Sequence, residues 1–130
     1  MRAKHLFASL SVVSIVSCTL DLNLNRSNEI IAAGTISRLV RAELTFYARF
    51  HRYGSLPELV AQSDSSLDRG LSAGRYENYV FALEIRESGF AIVAKPVDSY
   101  SRRSFYADET GVIRHSWKPD DVSANSPKLQ

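Results

Sequence analysis

The chain has 130 residues, of which 45% are hydrophobic and 23% charged, with 16 Lys and Arg against 14 Asp and Glu and a single cysteine, Cys18. Setting aside Arg2 and Lys4 near the start leaves the charges balanced, so there is no cationic excess to draw nucleic acid or an anionic membrane surface. One cysteine excludes an intrachain disulfide, and a single small domain must then be held by packing and sheet hydrogen bonds alone.

The charged start Met1-Arg2-Ala3-Lys4-His5 leads into an apolar run from Leu6 to Ser17. At about 1.5 Å of rise per residue this run is too short to cross a hydrocarbon core of about 30 Å. It reads as the h-region of a signal peptide. The run closes on Ile15-Val16-Ser17-Cys18, which resembles the lipobox of bacterial lipoproteins. The resemblance implies that residues 1–17 are removed, that Cys18 carries a diacylglyceryl group, and that its new amino terminus is acylated. Several acyl chains give durable attachment where one would be marginal. Lipidation also accounts for a lone thiol in a secreted chain. An ordinary cleaved signal peptide is the alternative, and Ile15 fits it poorly. The lipoprotein reading places the chain at the cell envelope, and Thr19 in place of an aspartate fits outer-membrane sorting in proteins of this kind.

Residues 18–28 are expected to form the lipidated cysteine and a tether, since Asn23, Asn25, Ser27 and Asn28 favour turns and helix starts. From about Glu29 to Tyr53, Ile36, Leu39, Val40, Phe46, Tyr47 and Phe50 recur at helical spacing, and Gly54 is placed to stop the helix. Ser55-Leu56-Pro57-Glu58 has the form of a capping box opening a short helix from Leu56 to Gln62. Ser63-Asp64-Ser65-Ser66 breaks that helix, and Leu67 to Leu71 can add one more turn before Gly74.

Beyond Tyr76 the period changes to two. Tyr79, Phe81, Leu83 and Ile85 alternate with Val80, Ala82, Glu84 and Arg86, a turn follows at Glu87-Ser88-Gly89, and Phe90, Ile92 and Ala94 mark the antiparallel partner. Ser104 to Ala107 and Val112 to Ser116 form a second hairpin around Asp108-Glu109-Thr110-Gly111. Residues 117–130, rich in Pro, Asp, Ser and Asn, read as a flexible tail. The expected fold is therefore α+β over residues 29–116: a long helix packed on a small antiparallel sheet of about four strands, with Phe46, Phe50, Phe81 and Ile92 in a shared core.

Two segments carry a further likeness. Asn28-Glu29 followed by Ile36-Ser37-Arg38-Leu39-Val40-Arg41-Ala42-Glu43-Leu44-Thr45-Phe46-Tyr47 resembles the helix of type IV pilins, and Arg103 to Arg114 resembles their closing hairpin. The likeness spans roughly residues 28–116 and implies a pilin headpiece. The chain departs from that family at its amino terminus. It has neither the continuous apolar stem nor the prepilin-peptidase site through which pilins enter filaments, so a lipid-tethered headpiece is the expected form.

Little in the sequence points to chemistry. His5, His51 and His115 are scattered, and His115 near Asp108 and Glu109 reads as a surface residue beside an acidic turn, so neither metal nor cofactor is expected. No phosphate loop or nucleophile motif is visible. Tyr100, Arg102 and Arg103 are candidate interaction residues, because Tyr and Arg dominate interface hot spots; an ordinary solvated loop is the alternative. The function expected is a non-enzymatic, lipid-anchored envelope protein making protein contacts with a pilus or secretion apparatus. A minor pilin or pseudopilin with a degenerate amino terminus, and a small periplasmic binding or hydrolytic domain, remain as alternatives.

Overall fold

One long helix lies against a five-stranded antiparallel sheet, giving the α+β fold that the change of period predicts. The computed structural model describes residues 2–97, 102–118 and 121–129, with side chains from Arg26 onward. Helix α1 spans Arg2–Phe50. Its buried face is set by helical spacing: Ala32, Ile36, Leu39, Val40 and Phe46 are all shielded from solvent. Thr35 is shielded beside them, and its hydroxyl donates to the Ile31 carbonyl at 2.8 Å.

Both ends of the expected helix differ. Arg26, Ser27 and Asn28, read as leading into an N-cap, are already helical. At the other end Gly54 does not supply the stop. His51 takes the left-handed conformation, with φ of 58°, and its amide donates to the Tyr47 carbonyl at 2.8 Å. This early exit leaves Phe50 outside the core: the ring is 40% exposed and leans on Phe46 with centroids 4.5 Å apart. Gly54 is buried instead, and a Cβ there would meet the Phe46 ring at 3.1 Å.

Helix α2 spans Leu56–Gln62 and opens on the capping box expected from Ser55 and Glu58. The Glu58 amide donates to Ser55 Oγ at 3.4 Å, and the Ser55 amide donates to Glu58 Oε1 at 3.2 Å. A 3-10 helix at Arg69–Ala73 follows, ending at Gly74 with φ of 77°. Only glycine suits that position, since a Cβ would come within 2.7 Å of the Phe81 carbonyl.

The sheet runs β1 (Arg75–Tyr76), β2 (Tyr79–Arg86), β3 (Gly89–Pro96), β4 (Ser104–Asp108) and β5 (Arg114–Ser116), each beside the next. The first strand was not foreseen. It forms because Glu77 and Asn78 both take positive φ, 48° and 64°, and reverse the chain in two residues to pair Tyr76 with Tyr79. α1 lies over β3 and β4, where Phe90, Ile92, Ala94, Phe105 and Ala107 meet its buried face. Tyr79 and Phe81 extend this core toward Leu59, Leu67 and Leu71.

The expected flexible tail folds back. Leu129 donates its amide to the Ile113 carbonyl at 2.8 Å, His115 donates to Pro127 at 2.9 Å, and Lys128 bridges Arg114 in antiparallel fashion. The free edge of β5 offers backbone partners that a polar sequence can use, and Leu129 adds an apolar side chain against the core.

Candidate contact cleft between the two helices

Glu29, Ile36 and Glu43 are seven residues apart, which places them on one helical face, and all three are buried. Glu29 accepts from the Arg103 amide at 3.1 Å and from Arg103 Nε at 3.0 Å, joining residues 74 apart in sequence. The Arg103 guanidinium also lies 5.6 Å from the Phe105 ring and 5.5 Å from the Trp117 ring. Arg102 is buried, at 6% exposure. Arg103 is thus part of a clasp between α1 and the start of β4, and Arg102 is buried next to it in the chain. Tyr100 lies outside the described residues, as does the side chain of Cys18.

Glu43 is fully shielded from solvent. Its Oε1 accepts from the Gly54 amide at 2.6 Å, and its Oε2 has no hydrogen-bond partner. Burial raises its pKa to about 7, against the lowering effect of the Gly54 amide and with a further push upward from the Glu58 charge. Glu58 moves the other way. Arg52 Nη2 at 2.6 Å, followed by the Ser55 amide, holds it at about 2.

A cleft of about 430 Å³ opens between α1 and α2. Ala42, Phe46, Leu59 and Leu67 form its floor, and Arg38, Arg41 and Thr45 rise from α1 on one side. Gln62, Ser63 and Ser66 face them. Arg38 and Arg41 are exposed, three residues apart on the helix, and have no acidic partner among the described residues. Other polar groups on both sides are committed internally: Gln62 accepts from Arg49 at 3.0 Å, Ser63 Oγ donates to the Val60 carbonyl at 2.8 Å, and Thr45 Oγ1 donates to the Arg41 carbonyl at 3.0 Å. The rim loop is conformationally strained, since Asp64 and Ser65 both adopt positive φ, 49° and 69°. No His, Cys, Asp or Glu lines the cleft. It presents two guanidinium groups beside an apolar floor.

In the sequence Arg38 and Arg41 figure only within the helix segment that resembles pilins, and nothing there marks them as a site. The lack of an acidic partner for them among the described residues depends on how the chain packs, which helical periodicity does not report. The acidic turn behaves as expected of a turn, with the Thr110 amide donating to Asp108 at 3.0 Å and the Phe90 amide donating to Glu109 at 3.3 Å. His115, expected at the surface, is half-buried with Nδ1 shielded and unpartnered, because its strand is covered by the returning tail. Among the described residues no three His, Cys, Asp or Glu side chains gather as a metal site requires, and no helix is long and apolar enough to cross a membrane. Comparison with protein families, curated proteins and solved structures finds no match to this chain.

Proposed function

We propose that this chain is a lipid-anchored envelope protein, tethered through Cys18, whose non-enzymatic, type IV pilin-like domain makes protein contacts with a pilus or secretion component. The observation that carries the contact role is the pair Arg38 and Arg41, exposed beside an apolar floor without an anionic partner among the described residues. A guanidinium fork matches a carboxylate in two parallel hydrogen bonds, so the cleft suits an acidic partner segment with an apolar side chain next to its carboxylate. The volume accommodates one or two such side chains. A lipid tether raises the local concentration of both partners at the membrane, which lets a modest contact suffice. The pilin likeness draws support from element order, a long helix followed by a variable segment and an antiparallel sheet.

The anchor and the cleft are tested on the same full-length chain. Cys18→Ser is expected to move it from the membrane to the soluble fraction, and an unlipidated protein that stays with membranes would count against the anchor. A short Asp-Phe peptide, titrated into the chain by NMR, is expected to shift signals of Arg38, Arg41 and Leu67. Arg38→Glu with Arg41→Glu should abolish those shifts. Shifts that survive the double substitution would remove the cleft from the proposal.

A further inference from the structure

Among the described residues one long stretch of sheet edge stays open, and it lies far along the chain from the cleft's arginines. β2 pairs with β1 only through Tyr79 and Val80, and the Phe81 amide then donates to the Gly74 carbonyl at 2.7 Å. Beyond Phe81 no described segment pairs with the outer side of β2, although β3 pairs with its inner side as far as Arg86. The two-residue turn closing Arg86 against Gly89 fixes the alternation. Backbone groups of Glu84 and Arg86 face β3, and those of Leu83 and Ile85 face the open side. Glu84, Ile85 and Arg86 are all exposed, Ile85 at 48%. The opposite edge is different, because the tail already covers β5 at Arg114. Unpaired strand groups beside an exposed isoleucine fit an extended polypeptide.

The charge pattern selects which polypeptide. We infer that a second copy of this chain adds antiparallel to β2, with Ile85 facing the partner's Ile85 on a two-fold axis. In that register Glu84 lies opposite the partner's Arg86, and Arg86 lies opposite the partner's Glu84, so opposite charges meet twice. Sliding the copies by one hydrogen-bonding step in either direction sets Glu84 against the partner's Glu84, or Arg86 against the partner's Arg86. Both neighbouring registers are therefore repelled. Charges on a sheet edge ordinarily deter pairing, but this arrangement deters all of these registers except one. Within one chain Arg86 hydrogen-bonds Tyr106 and approaches Glu84 only to 3.9 Å, so its five-donor guanidinium keeps N–H groups for a partner's carboxylate. Three residues make a short interface, so the dimer is weak and forms only as concentration rises.

Sedimentation equilibrium of the full-length chain over a rising concentration series tests this directly. The wild-type chain is expected to show monomer and dimer in exchange. Glu84→Arg alone should weaken association about tenfold or more, because both cross-strand pairs become repulsive. Glu84→Arg combined with Arg86→Glu should restore it, since the opposite signs are recovered in the same register. Ile85→Lys should abolish the dimer, with thermal melting showing that each variant is folded. A wild-type chain that stays monomeric throughout overturns the inference. So does a dimer that the double exchange fails to restore.

Discussion

At Glu43 the carboxylate is shielded from water, has one donor at Gly54 and one oxygen without a partner, and titrates at about 7 instead of near its ordinary 4.5. The folded value lies above the unfolded one, so the contribution to stability is complete below the ordinary value and is lost as pH rises through about 7. At about 1.4 kcal/mol for each pH unit of displacement, the loss amounts to at most about 3.5 kcal/mol. We therefore expect the melting temperature to fall between about pH 5 and pH 8, and Glu43→Gln to remove most of that slope. Melting curves that keep the slope in the variant would place the titrating group elsewhere. Glu58 acts in a separate window: its pKa is lowered to about 2 by Arg52, so its contribution is present above the ordinary value and fades as pH falls through about 2. Seven-residue spacing puts Glu29 and Glu43 on the face of Ile36, but their burial was not read from the sequence. Their charge concealed it, because a glutamate on a long helix usually faces water.

Among the elements, α1 and the sheet share one core, and two phenylalanines distinguish its inside from its end. Phe81 is 3% exposed within the core cluster, whereas Phe50 is 40% exposed on the last turn of α1. Phe81→Ala is expected to cost about 3 to 5 kcal/mol, and Phe50→Ala about 1 kcal/mol, since only the first leaves an enclosed void. Denaturant unfolding of the two variants checks the difference, and equal costs would place Phe50 in the core as the helical spacing suggested. The alternation in β2 and β3 and the box at Ser55 and Glu58 were readable because each depends on residues a few positions apart. The end of α1 was not, because His51 rather than a glycine adopts the left-handed turn. β1 was missed for a related reason: Glu77-Asn78 lacks the glycine that usually marks a two-residue reversal.

For the molecule as a whole, two long-range closures join segments that no local pattern connects: Glu29 with Arg103 across the helix and sheet, and the tail with β5. The tail does more than cap an edge. Val122 to Asn125 line a groove with Ala82, Ala91, Val93 and Tyr106 on the sheet face away from α1, and Tyr106 is only 4% exposed. Arg114 Nη1 donates to the Ser126 carbonyl at 2.9 Å, while Leu129 packs against the core. A polar tail can do this because most of its gain comes from backbone bonds to β5, which composition does not reveal. A chain ending after Lys118 loses those bonds, the Leu129 packing and the cover over Tyr106 together, and should be less stable by about 2 to 4 kcal/mol. It should also bind a dye that reports exposed apolar surface, because the sheet face away from α1 then has no tail across it. Unchanged melting with no gain in dye binding would show that the returning segment rests on the sheet without stabilising it.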